Sequence, residues 1–179
     1  MGAIASARAD DVRIVYYDIS GHTIRDLVEQ MQAKGPFDKS SGGRSAAYTE
    51  WRVPWNFRYE STPRSCKLTE LNASAEGTMT LPHWVDGGTA PASRMKEWRH
   101  FVAALRVHEN GHYAHGVQAA EEVRALAGSI QPAADCDDLT RQVTNRAEAI
   151  LEKYRAVDAK YDRDTKHGQA QGAVLVIEN

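Results

Sequence analysis

Hydrophobic and polar residues alternate in some stretches of the chain and recur at helical spacing in others. Alternating or β-branched runs predict strands in four places, which are 12–19, 48–59, 66–73 with room to extend to 81, and 173–177. Apolar residues three and four positions apart predict helices over 24–33, 93–127 and 135–154. This order predicts an α+β fold, in which a mostly antiparallel sheet packs against a long helix and a second, C-terminal helix.

Capping and helix-breaking residues mark the ends of these elements. Thr23 is suited to cap the first helix, and Gly35-Pro36 ends it. Ser93 can cap the long helix. Pro54 interrupts the second strand, which predicts an edge strand or a bulge there. Residues 161–172 are polar and contain glycine, so they are expected to form a loop.

The composition limits the classes of partner. The chain has 179 residues, 42% of them hydrophobic, which suits a single domain over 11–179 with its own core. The net charge is −2 and no basic patch dominates, so nucleic acid is not expected as a partner. No apolar run approaches the roughly 18 residues that a membrane span requires.

The first ten residues are small and rich in alanine. They contain an Ala-x-Ala pattern at 7–9 but no apolar core, so they are not an intact signal peptide. Residues 1–10 are expected to be either a disordered start or the remnant of a cleaved signal sequence.

The sequence His-Glu-Asn-Gly-His at 108–112 carries the chemistry. A helix turns about 100° per residue, so His108 and His112 lie on one face and can bind the same Zn²⁺. Glu109 points to the side, where it can reach a water on the metal and act as a general base. Gly111 costs about 1 kcal/mol relative to alanine inside a helix. It either allows a close approach by another element or substrate, or is a tolerated defect.

A catalytic zinc ion usually takes three protein ligands and one water, so a third ligand is needed. His115 lies about 10 Å along the helix axis from His108, which is too far for one metal on a straight helix. His115 is therefore expected beside the site or on the surface. Glu148 on the next helix and His167 in the polar loop are both candidates.

The two cysteines, Cys66 and Cys136, do not have the spacing of a zinc site. In an exported protein they are expected to form a disulfide bond, and the alternative is two free buried thiols in a cytosolic protein. A bond that closes so long a loop stabilises the fold by about 4 kcal/mol in the chain-entropy model.

Several further features occur together along nearly the whole chain. They are Gly21-His22-Thr23, Thr49-x-Trp51 with Trp55, Cys66, Leu81-Pro82-x-Trp84, Trp98 ahead of the 108–112 motif, Cys136, and Tyr161-Asp162-x-x-Thr165-x-His167-Gly168-x-x-Gln171-Gly172-Ala173. In this combination the chain resembles a bacterial family of predicted secreted zinc-dependent proteases.

The resemblance implies an exported metallopeptidase of zincin-like fold, secreted or periplasmic, with one zinc ion per chain. It favours His167 as the third ligand, with Tyr161 and Asp162 close by. Glu148 and Asp162 remain the alternatives to His167. The implied substrate is a protein or peptide, whose identity the resemblance does not supply.

The sequence therefore favours peptide-bond hydrolysis with Glu109 as the general base. Tyr161 and His115 are candidates for stabilising the oxyanion, and the strand around 73–81 is a candidate for binding an extended peptide. Three alternatives stay open at this point. They are a zinc-binding module without catalysis, a zinc hydrolase of a non-peptide substrate, and a metal-free domain in which the motif arose by chance.

Overall fold

The computed structural model describes residues 12–38 and 42–177 of the chain. The elements in chain order are β1 (Arg13–Ile19), α1 (Ile24–Lys34), β2 (Phe37–Asp38), β3 (Gly43–Arg44), β4 (Tyr48–Arg52), β5 (Trp55–Thr62), β6 (Ser65–Ala73), β7 (Glu76–Trp84), α2 (Ala92–Ala125) and α3 (Cys136–Thr165). The predicted α+β class, with a long helix and a C-terminal helix, is confirmed. The expected remnant at 1–10 lies outside the described residues.

Two compact units can be distinguished in the chain, and single-domain organisation over 11–179 stays a prediction. Within its described part, the first unit consists of Trp51–Gly77 and Ala114–Asp158. The second consists of Val12–Glu50, Thr78–Tyr113 and Ala159–Asn179, apart from the few residues outside the description.

The first unit contains the antiparallel hairpin of β5 and β6. Cys66 on β6 exchanges two backbone hydrogen bonds with Ala133, at 2.8 and 2.9 Å. This pairing brings β6 next to the start of α3, where Cys66 forms a disulfide bond with Cys136. The predicted disulfide is confirmed. On α3 the apolar residues of this unit recur at spacings of three and four, and the buried ones are Leu139, Val143, Ala147 and Ile150.

The second unit is built around a three-stranded sheet in the order β1-β7-β4. β1 and β7 pair in parallel, from Arg13 opposite Thr78 to Ile19 opposite Trp84. The core of this unit joins β1, α1, β7 and the first half of α2, and its members include Ile19, Leu27, Met79, Leu81, Trp84, Trp98 and Phe101. The Trp84 and Trp98 rings meet edge to face at 5.9 Å.

Some element boundaries differ from the sequence prediction. The expected strand that begins at 66 and can extend to 81 is two strands, β6 and β7. β7 lies between β1 and β4 in the sheet, so it cannot add a peptide strand at its edge. Residues 173–177 are not a strand, because the N–H of Val174 donates to Gly172 and that of Val176 donates to Glu97.

The largest difference concerns the end of α3. The predicted helix ends near Tyr154, but α3 continues to Thr165. The last turns carry few apolar residues, so their helical periodicity is weak in the sequence. As a consequence, Tyr161 and Asp162 lie on a helix and not in a loop. Among residues 12–38 and 42–177, no helix is both long and apolar enough to cross a bilayer.

Candidate metal centre

Helix α2 places the three motif residues at a buried position in the second unit. His108 and Glu109 are each 3% exposed and His112 is 9% exposed. The two imidazole rings lie 4.8 Å apart, one turn of helix from each other, and their Nε2 atoms are separated by 3.2 Å. The predicted helix, with both histidines on one face, is present in the structure.

Asp162 on α3 completes a group of three potential ligands. Its Oδ1 lies 3.1 Å from His108 Nε2 and 3.0 Å from His112 Nε2. The three atoms therefore form a nearly equilateral triangle with sides between 3.0 and 3.2 Å. Because lone-pair atoms repel at such distances, the triangle requires a proton or a metal ion among them.

The donor set suits a zinc ion. Two histidines and one carboxylate occur as the protein ligands of catalytic zinc sites. Ligand atoms about 2.0–2.1 Å from a tetrahedral zinc lie about 3.3 Å from one another, which is close to the observed sides of the triangle. The three residues could therefore hold a metal ion, and their donor atoms are compatible with the zinc that the sequence predicts.

The Glu109 carboxyl is almost fully buried beside this group. Within residues 12–38 and 42–177, its Oε2 has no hydrogen-bond partner. Burial raises the pKa of Glu109, and the nearby Thr49 hydroxyl and the two motif histidines counteract that rise only in part. The Thr49 hydroxyl lies close enough for this effect, although it completes no well-aligned hydrogen bond. A buried carboxyl with an unpartnered oxygen and a raised pKa has the properties of a general base.

The pKa of Asp162 is shifted in the opposite direction, below its ordinary value. Burial on its own would raise the pKa of its carboxyl, but hydrogen bonds with His108 and His112 outweigh the burial. Electrostatic attraction to His112 and His167 lowers the pKa of Asp162 further, so it lies well below its usual range. Asp162 is therefore ionised in the folded protein, as a metal ligand must be.

Tyr161 covers the outer face of the motif. Its ring stacks on His108 with centroids 5.0 Å apart and planes 12° from parallel, and it meets His112 edge to face at 5.2 Å. Gly111 makes this position possible, because a Cβ at residue 111 would lie 2.7 Å from Tyr161 Cε1. The glycine within the motif thus allows a close approach by α3.

His167 follows directly after α3, in a turn with left-handed backbone. Lys166, His167 and Gly168 have φ values of 52°, 51° and 82°. The N–H of His167 donates to Asp162 O at 2.9 Å, which closes the end of the helix. The His167 side chain is 59% exposed, and its Nδ1 lies 3.5 Å from Asp162 Oδ1. The structure thus brings Asp162 into the group of ligands, while a ligand role for His167 stays a prediction.

The other sequence candidates belong to the first unit. His115 Nδ1 lies 2.5 Å from Asp158 Oδ1, and Asp158 also accepts a hydrogen bond from Trp51 Nε1 at 2.6 Å. These contacts account for the position of His115 and leave its suggested oxyanion role a prediction. Glu148 is exposed on α3 and is not a member of the 108–112–162 group.

Comparison with known protein families gives a match. Residues 14–168 match the model of a family described as bacterial protein of unknown function, DUF922. The chain belongs to this family. No curated protein and no solved structure matches the chain. The matched range contains the 108–112 motif, Tyr161, Asp162 and His167, and it ends before Gln171.

Proposed function

We propose that this member of the DUF922 family is a zinc-dependent hydrolase of peptide bonds. The observation that carries the proposal is the triangle of His108 Nε2, His112 Nε2 and Asp162 Oδ1, beside the buried Glu109 carboxyl. The three triangle residues would hold the zinc ion. His167, next to Asp162, is the remaining ligand candidate.

Each residue of the site then has a chemical role. When bound, zinc supplies Lewis acidity that makes a water nucleophilic near neutral pH and polarises a carbonyl group. Glu109 accepts the proton of the attacking water and delivers it to the departing amine. Tyr161, stacked on His108, has a phenol that can donate a hydrogen bond to the developing oxyanion.

A peptide substrate is supported by the position of β4. This strand lies at an edge of the three-stranded sheet, and Thr49 on it adjoins the Glu109 carboxyl. An extended peptide that pairs with a sheet edge has its backbone fixed by main-chain hydrogen bonds. Pairing at β4 would bring a peptide bond next to the general base.

The disulfide bond between Cys66 and Cys136 supports an exported protein. Structural disulfides persist in oxidising compartments and are rare in the cytosol. We infer that the protein acts in the periplasm or outside the cell.

The decisive experiment compares Glu109→Gln with the wild-type chain. Zinc content is measured by metal analysis, and hydrolysis is measured on a quenched fluorescent peptide library. We expect Glu109→Gln to retain one zinc ion per chain and to lose about 10²–10⁴-fold in rate. Glu121→Gln, an exposed residue of the same helix, is the matched control and is expected to retain both properties.

Two outcomes would overturn the proposal. A zinc-loaded wild-type protein that cleaves no peptide in the library would favour a zinc-binding module without turnover. A Glu109→Gln variant that hydrolyses peptides at the wild-type rate would exclude Glu109 as the general base.

A further inference from the structure

The side chain of Gln171 makes two hydrogen bonds, one with His108 and one with Tyr161. Its Oε1 lies 3.0 Å from His108 Nδ1, and its Nε2 donates to the Tyr161 hydroxyl at 2.9 Å. A single amide thus contacts a ligand of the triangle and the phenol stacked upon that ligand. The role proposed below rests on the proposed function.

The contact with Gln171 Oε1 fixes the tautomer of His108. An amide oxygen can only accept, so His108 Nδ1 must carry a hydrogen. The Thr165 hydroxyl, 3.4 Å from the same nitrogen, already donates to Tyr161 O at 2.8 Å and is not the donor here. The proton of a neutral His108 therefore resides on Nδ1, which leaves the Nε2 lone pair directed at the triangle.

The hydrogen bond from Gln171 Nε2 restricts the hydroxyl group of Tyr161. An amide N–H can only donate, so the phenol oxygen accepts in this bond and its own proton takes no part in it. The same hydrogen bond limits rotation of the Tyr161 hydroxyl about its C–O bond. Gln171 thereby orients the group that the proposed reaction uses to stabilise the oxyanion.

The backbone holds Gln171 in this position. A short 3₁₀ turn spans Gln169–Gln171 between two glycines, Gly168 at φ 82° and Gly172 at φ 97°. The N–H of Gln171 donates to Gly168 O at 2.9 Å. Ala173, directly after the turn, is buried in the core of the second unit. The turn is therefore anchored on both sides.

We propose that Gln171 is a positioning residue, which holds His108 in its metal-binding tautomer and orients the Tyr161 hydroxyl. It does not touch the metal or the substrate. Second-sphere partners of histidine ligands typically change metal affinity by about 10–100-fold when they are removed.

Two substitutions separate the two contacts. Gln171→Leu keeps the size and removes both hydrogen bonds, so we expect zinc affinity, measured by chelator competition, to fall about 10–100-fold. Gln171→Glu keeps an acceptor for His108 Nδ1, so zinc affinity should be preserved. Its carboxylate would instead accept the Tyr161 proton, so hydrolysis should fall by up to about 10²–10³-fold. Gln169→Leu, an exposed neighbour, is the matched control.

A spectroscopic measurement adds a readout that does not depend on turnover. In the zinc-loaded protein, ¹⁵N NMR should detect a slowly exchanging Nδ1–H on His108, which Gln171→Leu should lose and Gln171→Glu should retain. If no peptide is cleaved by the wild type, this signal and the zinc affinity still test Gln171, so the two proposals fail separately.

The proposal is overturned if folded Gln171→Leu binds zinc as tightly as the wild type and keeps the Nδ1–H signal. If Gln171→Leu does not fold, Gln171→Glu carries the test. The proposal would then be overturned if Gln171→Glu hydrolysed peptides at the wild-type rate, or if it bound zinc more weakly than the wild type.

Discussion

Gly111 lies directly beneath the phenol ring of Tyr161, with no space for a side chain between α2 and α3. A Cβ at residue 111 would lie 2.5 Å from Tyr161 Cζ and 2.7 Å from Cε1. Because Tyr161 stacks on His108, this contact connects a helix-interior glycine to the geometry of the metal centre.

Gly111→Ala is therefore expected to destabilise the protein, although alanine is the better helix former by about 1 kcal/mol. Steric overlap of this kind costs about 1–3 kcal/mol, and the displaced Tyr161 ring should also weaken zinc binding. Thermal unfolding and chelator competition measure the two effects. Gly128→Ala is the control, since a Cβ there meets no atom within 4 Å in the described part of the chain. The prediction would be contradicted if the melting temperature of Gly111→Ala equalled or exceeded that of the wild type.

The third ligand can be identified by comparing two single substitutions. We expect Asp162→Ala to reduce zinc affinity by more than about 100-fold, because it removes an ionised group in contact with both motif histidines. His167→Ala should have a smaller effect, since that side chain is 59% exposed. Asp164→Ala, whose carboxylate pairs with Lys160 on the surface, is the control. The reverse order of the two effects would identify His167 as the ligand in the metal-bound protein.

Removal of the disulfide bond should destabilise the first unit. Cys66 and Cys136 are separated by 70 positions, and in the chain-entropy model opening such a loop costs about 4 kcal/mol. Urea unfolding of Cys66→Ala/Cys136→Ala measures this loss. Reductant should lower the stability of the wild type and leave the double variant unchanged. If reductant destabilised the wild type and the double variant equally, the loss of stability could not come from the Cys66–Cys136 bond.

The first helix provides a test of pH dependence. Thr23 Oγ1 accepts from the Asp26 N–H, and Asp26 Oδ2 accepts from the N–H groups of His22 and Thr23. Thr23→Ala should cost about 1 kcal/mol, as loss of an N-cap usually does.

The backbone hydrogen bonds from His22 and Thr23 lower the pKa of Asp26 in the folded state. A lowered folded-state pKa stabilises the fold above the unfolded value of about 3.9, and this contribution is lost as pH falls through the folded-state pKa. Asp26→Ala should therefore lower the melting temperature at pH 7, and its difference from the wild type should shrink below about pH 4. A difference that grows on acidification would contradict the capping role.

The sequence determined the features that depend on local spacing. Four-residue spacing placed His108 and His112 on one face of a helix, and Thr23 as a capping residue indicated where α1 begins. With two cysteines in the chain, only one intrachain disulfide was possible. These features depend on backbone periodicity and residue type, which can be inferred before the chain is folded.

The tertiary structure decided which distant residues meet. It extended α3 beyond its weak apolar pattern to Thr165, which brought Asp162 to the motif histidines. It also made β1 and β7 parallel neighbours and placed Gln171 between His108 and Tyr161. Apart from the bond between Gln171 and Tyr161, such contacts join residues fifty or more positions apart. They depend on how helices and strands pack against a common core, and that packing leaves no regular spacing in the sequence.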